Sequence, residues 1–500
     1  MGKMFIRSCI WRRMWKTFVP IVLVSGFALN GYGAPRETPE QVLAAARQAD
    51  QSLENKKALR HYKKALSYST TRVDALIGLS HLYMKMGELD EPLEAITEYL
   101  RDEDPFNPAL RALMAELQHK KGLSAQALAT VQSSIWLNPS DTQAKLVQAQ
   151  ILFDLKKYDL AQKAATEFLQ KNSEGPGAFD ARFIRGRSRF YQEQYPLALD
   201  DLKFLAEGNP VHLGVHDYLG KTHLKSNNLA DADRAFIYLL KLNPKSSTVL
   251  EQLGEVALAQ KRVPEAILYF EKSIAIDPSR FSAGNQLALA YKATGQLDRA
   301  IGEYSRQLEL DPTQPNSIQG MYHLLAEAKR FDKLGPFLKR AFEYPANFAY
   351  VGVRYGNLLS TLGEYRRAEE VLSRTIAESG ETREALLQFA NTKFAQGEYK
   401  AALSYLEAAG KKFPEDPLIQ FNQALVQEKM GAFGEALVLY KTIGDTFPNS
   451  HKARINAAIL LEKEKKFEDA LEMLKSIRDP SDQRETVFAK IAEWERTRKP

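Results

Sequence analysis

The sequence predicts an all-α solenoid of about thirteen helix-turn-helix units, all of one length. Three observations carry this expectation. Pro210, Pro244, Pro278 and Pro312 recur at one constant spacing, and Pro414 and Pro448 keep the same phase. Twelve residues before each of these prolines lies an alanine: Ala198, Ala232, Ala266, Ala300, Ala402 and Ala436. With small insertions the frame extends to Ala58, Ala127, Ala161, Ala368 and Ala470, so eleven of thirteen units share the residue. Four positions beyond this slot every unit is apolar, from Tyr62, Ile96 and Val131 through Ala165, Leu202, Phe236, Phe270, Tyr304 and Leu338 to Leu372, Leu406, Tyr440 and Leu474. A fixed period of this kind marks a stack of identical supersecondary units that bury their apolar faces on one another.

Each unit reads as two amphipathic helices. The first ends near a glycine, as at Gly87, Gly122, Gly295, Gly363, Gly397 and Gly431, where a left-handed residue closes the helix. The second carries the alanine and the large apolar residue. A small side chain lets two helices approach, the large one fills the neighbouring gap, and the proline forbids the second helix from continuing. Pro196 and Pro264 fall where second helices begin, a place that tolerates a missing N–H.

This arrangement resembles the tetratricopeptide repeat (TPR) family from about Pro39 to Gln483. The clearest unit is 281–314, with Leu287, Ala288, Tyr291, Gly295, Ala300, Tyr304 and Pro312 in the signature places. The resemblance implies a right-handed superhelical solenoid whose groove is lined by the first helix of each unit. It also implies that the second, fifth, sixth, ninth, twelfth and thirteenth positions of a unit face that groove, where asparagines often hold an extended peptide.

The N-terminus differs from the repeats. Residues 1–33 hold five basic residues (Lys3, Arg7, Arg12, Arg13, Lys16) and no acidic one, and the only cysteine, Cys9. An apolar run from Phe18 to Leu29 follows, then small residues up to Ala34. This is the build of a secretory signal over residues 1–34. Twelve residues reach only about 18 Å as a helix, short of a hydrocarbon core of about 30 Å. An uncleaved anchor of residues 18–34 and a mitochondrial presequence are the competing readings. A periplasmic or secreted location is therefore expected, with an inner-membrane anchor as the alternative. The formal charge of +6 comes mostly from this segment, leaving the body without a bulk electrostatic reason to bind nucleic acid. Without cysteine the body has no disulfide and no thiolate chemistry.

Two places interrupt the period. Lys171 to Ala178 contains Gly175-Pro176-Gly177 and adds three residues. Unit 315–348 has Leu334 in the alanine slot, and Gly335-Pro336 falls within its second helix, where proline costs about 3 kcal/mol. The expected organisation is thus an N-terminal lobe (39–314), a degenerate repeat or joint (315–348), a C-terminal lobe (349–484) and a capping helix (485–500) with Val487, Phe488, Ile491 and Trp494 on one face. A shifted start of the second helix is the alternative to a break at 315–348.

Site patterns for catalysis are missing: no phosphate loop, no G-x-S-x-G elbow and no H-E-x-x-H, so no enzyme and no cofactor are expected. His212, His216 and His223 cluster but lack a third ligand at helical spacing, which favours packing over a metal. Two candidate partner sites remain. Asn357 and Asn391 fall in the ninth position of consecutive units, Asn422 and Asn456 in the sixth of the next two. An amide offers both donor and acceptor, so successive copies suit a peptide backbone. Arg182, Arg185, Arg187 and Arg189 alternate with Phe183, Ile184 and Phe190. Of this stretch Arg187 and Tyr191, with Lys221 of the next unit, occupy groove positions and suit acidic peptides or sugar faces. Four arginines so spaced cannot share one helical face, and solvated charge is the competing reading. Arg185 stands where the family usually has leucine, which puts the local register in question. The expected function is a non-catalytic envelope scaffold for proteins. The alternative is a glycan-binding accessory of polysaccharide synthesis or export.

Overall fold

The computed structural model describes residues 37–475 except 448, together with the single positions 477, 489, 493 and 496. The segment 1–34 expected to be a secretory signal lies outside the described residues, as does the expected capping helix 485–500 apart from three of its positions. The described residues contain 26 α-helices, α1 (Pro39–Gln51) to α26 (Phe467–Lys475), and no strand. They pair as thirteen helix-turn-helix repeats. The chain divides into two compact bodies, one ending at Asp201 and one beginning at Leu202.

The alanine slot explains itself by burial. All eleven alanines are 0% exposed. The apolar residue four positions on is buried in every repeat, from Tyr62 to Leu474. Glycine assists at particular crossings. A Cβ on Gly254 would stand 2.5 Å from the Phe270 ring, and one on Gly320 would stand 2.3 Å from that of Tyr304. The missing side chain is what lets the aromatic fit.

The turn inside each repeat is closed by one residue with positive φ. Six are the expected glycines. The other seven are Leu53, Lys156, Glu193, Asn227, Lys261, Lys329 and Lys465, at φ between 54° and 62°. Glycine is therefore not obligatory: the two flanking helices hold an L-residue in a region that costs it about 1 kcal/mol or more. Many first helices begin on a side-chain cap, such as Asn107, Asp141, Ser246, Thr382 and Asp416, which satisfies amides that the helix leaves open.

In the first body, α8 (Tyr158–Lys171) and α9 (Ala178–Tyr191) are joined by the inserted loop. Gly177 begins α9 at φ 82°, where a Cβ would meet Leu146 and Phe168. In the second body, α18 (Phe331–Ala341) starts three residues before Leu334, the same offset by which α16 (Leu297–Leu310) precedes Ala300. The alternative of a shifted helix start is thus corrected, and Pro336 sits inside the helix. The repeat is irregular further on. Whereas α16 has fourteen residues, α18 has eleven. A 3-10 turn (Pro345–Asn347) and one turn of π-helix (Phe348–Gly352) then lead into α19 (Val353–Thr361). One cluster of buried apolar side chains nonetheless runs through this repeat, from Ala257 to Ala368.

Candidate partner-binding face

Several first helices of neighbouring repeats meet within each body, as α15 (Phe281–Ala293) does α17 (Pro315–Glu327). The candidate residues all stand on first helices.

Asn357 on α19 and Asn391 on α21 (Arg383–Ala395) are exposed one repeat apart. Asn422 on α23 (Pro417–Lys429) and Asn456 on α25 (His451–Lys463) are half-buried. Asn456 stands beside the Tyr440 hydroxyl, which donates to Glu428 Oε2 at 3.4 Å. Burial above all pushes that hydroxyl up to about 12; Asn456 opposes the rise and Glu428 adds to it.

The arginine-rich helix α9 divides its charges by direction. Arg185 donates to both carboxylate oxygens of Asp201, Nε at 2.9 Å and Nη2 at 2.6 Å. Arg189 Nη1 donates to the same carboxylate at 2.7 Å and to the Leu197 carbonyl at 3.1 Å. Asp201 is 4% exposed. The reading of these two arginines as solvated charge is corrected: they are inward-facing partners of a buried carboxylate. The register is regular as well: Arg185 stands level with Leu219, Leu253 and Leu287 of the next three repeats, and its ion pair takes the place that leucine has there. Arg187 turns to another side, its guanidinium carbon 4.1 Å from the centroid of Phe153 and 4.5 Å from that of Phe183. Tyr191, 46% exposed, stacks on Tyr158 at 4.5 Å with ring planes 9° apart. Arg187 and Tyr191 thus belong to one aromatic surface on α7 (Thr142–Asp154), α8 and α9.

Lys221, in the second body on α11 (Leu213–Lys225), donates to Asp217 at 2.6 Å and lies 5.4 Å from the Tyr218 centroid. Its charge is compensated internally. The three histidines are structural. His212 Nδ1 accepts from the Val215 amide, capping α11, and His216 Nε2 donates to the Pro210 carbonyl at 2.7 Å. His223 is buried, and that burial holds its pKa below the usual imidazole range. No cluster of three metal-ligating side chains occurs among the described residues.

Sequence reasoning missed Arg354 on α19. Its guanidinium carbon lies 3.3 Å from the Tyr350 ring centroid and 5.3 Å from that of Tyr322, and Nη1 donates to the Tyr350 carbonyl at 3.0 Å. It makes no ion pair among the described residues, and its Nε and the Tyr350 hydroxyl are buried without hydrogen-bond partners. The signal was available. Arg354 occupies the sixth position of its repeat, and no acidic residue stands three or four places away on either side, so no local salt bridge can neutralise it.

Profiles of the tetratricopeptide repeat match residues 146–210, 219–281, 285–314 and 359–426, and each match spans at least one of the buried alanines. The chain is a tetratricopeptide-repeat protein. This TPR chain is 23% identical over 210 residues to the DnaJ homolog subfamily C member 7 homolog of Dictyostelium discoideum, covering 37% of the chain and 38% of that relative. It therefore spans well under half the length of that curated relative. Among solved structures it is similar to the APC/C hetero-tetramer Cut9-Hcn1 (15% identity, 91% of this chain and 96% of that one, TM-score 0.36). It is also similar to YrrB, described as a TPR protein with an unusual peptide-binding site (19% identity, 38% and 96%, TM-score 0.34). The TPR fold is that of a protein-interaction scaffold.

Proposed function

We propose that this TPR chain is a non-catalytic scaffold of the cell envelope that holds a partner polypeptide on its first-helix face, with Arg354 as an anchor. The observation that carries the reading is the uncompensated guanidinium fixed on Tyr350. A half-buried cation without a counter-ion is costly, and its planar donor fork suits a carboxylate. Asn357 lies three residues on along the same helix and Asn391 one repeat further, which offers a peptide backbone donors and acceptors beside the acidic group. Affinity rests on a few such anchors and not on area.

Affinity capture from an envelope extract with residues 35–500 tests this reading. Arg354→Met and the joint replacement of Asn357 and Asn391 by Ala should each lose proteins that the unaltered chain retains. An unchanged set would remove this face from consideration. The envelope location is supported by the basic and apolar order of residues 1–34. Mass measurement of the mature N-terminus checks it, and Met1 retained would favour the anchored form.

One observation favours the glycan reading as the second. The exposed Tyr191–Tyr158 stack beside Arg187 is an aromatic surface with a cation at its edge, a combination that suits sugar faces. Glycan binding abolished by Tyr191→Ala, with no protein retained, would support it.

A further inference from the structure

The first-helix face of α11, α13 (Ser247–Ala259) and α15 carries a different chemistry. Asp217, Glu251 and Asn285 hold the same position of three consecutive repeats, and Lys221 and Glu255 share another. Acceptors therefore recur where the Arg354 region offers a donor.

Two of the three acids on this face have cations. Asp217 accepts from Lys221 at 2.6 Å, and Glu251 accepts from Arg280 Nε at 2.7 Å. Glu255, half-buried one turn from Glu251, has no hydrogen bond or ion pair among the described residues. Burial first and the Glu251 charge second raise its pKa above the usual carboxylate range, while Lys225 and Lys221 act in the opposite direction. Beside it, Gln252 is 6% exposed and its Nε2 donates to Asp217 Oδ1 at 2.8 Å. That bond fixes which end of the amide points where, and leaves Oε1 buried without a donor. The Asn285 amide oxygen, one repeat on, is likewise buried without one. Buried acceptors left open are uncommon and call for a partner.

We propose that this face takes a cationic side chain of the bound polypeptide, a guanidinium above all, between the Glu255 carboxylate and the Gln252 amide oxygen. A guanidinium has five N–H donors in a plane, enough to pair with a carboxylate and to supply the neighbouring oxygen. An ammonium offers a point charge and meets the carboxylate alone with less geometric selectivity. The face already binds Arg280 in this manner through Glu251. The inference rests on the reading of the first-helix face as the partner's surface, and it gives that partner a basic residue at this point in addition to an acidic one at Arg354.

The test uses the full chain and a dye-labelled Gly/Ser decapeptide carrying two arginines, against the same peptide with neutral citrulline at both places. The arginine peptide should bind about tenfold tighter, as expected for a charge-assisted hydrogen-bonded pair. Glu255→Gln should abolish that preference and Gln252→Met should reduce it, while Arg354→Met leaves it intact. A charge-reversed chain, Glu255→Lys, should instead prefer a probe with glutamate at those places, which keeps the test decisive if the Gln variant folds poorly. Equal binding of the two peptides, or a preference that survives Glu255→Gln, overturns the proposal. The capture result at Arg354 stands apart from either outcome, so failure here is distinguishable from failure of the scaffold reading.

Discussion

Arg185 and Asp201 form a two-point ion pair at 2.9 and 2.6 Å across a helix hairpin, at the position that the next three repeats give to leucine. Arg189 shares the same carboxylate, and the side chains of Arg185, Arg189 and Asp201 are 18%, 16% and 4% exposed. Removing the carboxylate leaves two cations facing a largely dry interior. Asp201→Ala should therefore cost about 3 kcal/mol or more, whereas Arg185→Leu, which restores the usual packing and keeps Arg189 on Asp201, should cost much less. Urea unfolding of the variants, with hydrogen exchange on α9 to localise the loss, checks the asymmetry.

Gly254 and Phe270 give a second measurable contact. Alanine in place of Gly254 gains helix propensity of about 1 kcal/mol but forces a methyl group against a fully buried ring. Overpacking of this kind costs about 1–3 kcal/mol, so Gly254→Ala should be net destabilising. The double variant with Phe270→Leu should recover part of the loss, and denaturant midpoints report both.

The seven non-glycine turn residues predict gains. Lys261 holds φ 62°, and Lys261→Gly relieves strain of about 1–2 kcal/mol against a backbone-entropy cost that is smaller. A net stabilisation of about 0.5 kcal/mol is expected. The reverse change at the equivalent Gly295→Lys should destabilise, and thermal melts of the two variants should move in opposite directions.

His223 links stability to pH. Burial, the main cause, lowers its folded-state pKa below the ordinary 6.5 despite the opposing influence of Asp231. The unfolded chain therefore binds the proton first. Stability from the neutral ring is fully present above the unfolded pKa and is lost as pH falls from there through the folded pKa. His223→Phe should flatten this part of the pH dependence, measured as melting temperature at pH 7.5 against 5.5.

The period was legible because one packing solution is used throughout, so Ala300 stands for its equivalents in eleven repeats and Tyr304 for a buried apolar residue in all thirteen. What the sequence left unread is where one repeat departs from its neighbours. Lys156 and Lys261 take the left-handed turn without being glycine, since helix packing on both sides outweighs local preference. Asn456 belongs to a ladder by position, yet its amide stands beside Tyr440 of the preceding helix. Arg187 reads as a groove cation, and its ring partner Phe153 lies one whole repeat upstream. Arg354 could have been found by asking which groove charges lack an opposite charge a helical turn away. Glu255 needed the structure, because the lysines that act on it, Lys221 and Lys225, belong to the preceding repeat.

The irregular stretch from α18 to the π-turn has a mechanical meaning. Pro336 removes one amide from the ladder of α18, that helix is about a turn short, and beyond the 3-10 turn the five residues Phe348–Gly352 bond in the wider π pattern. Under a pulling force each repeat resists chiefly through its helix hydrogen bonds and its grip on the next repeat. Residues 331–352 interrupt the regular α-helical ladder more than once, and there the second body should yield first when stretched. A chain loaded at both ends would then lengthen in the middle of its second body while the regular repeats on either side kept their shape.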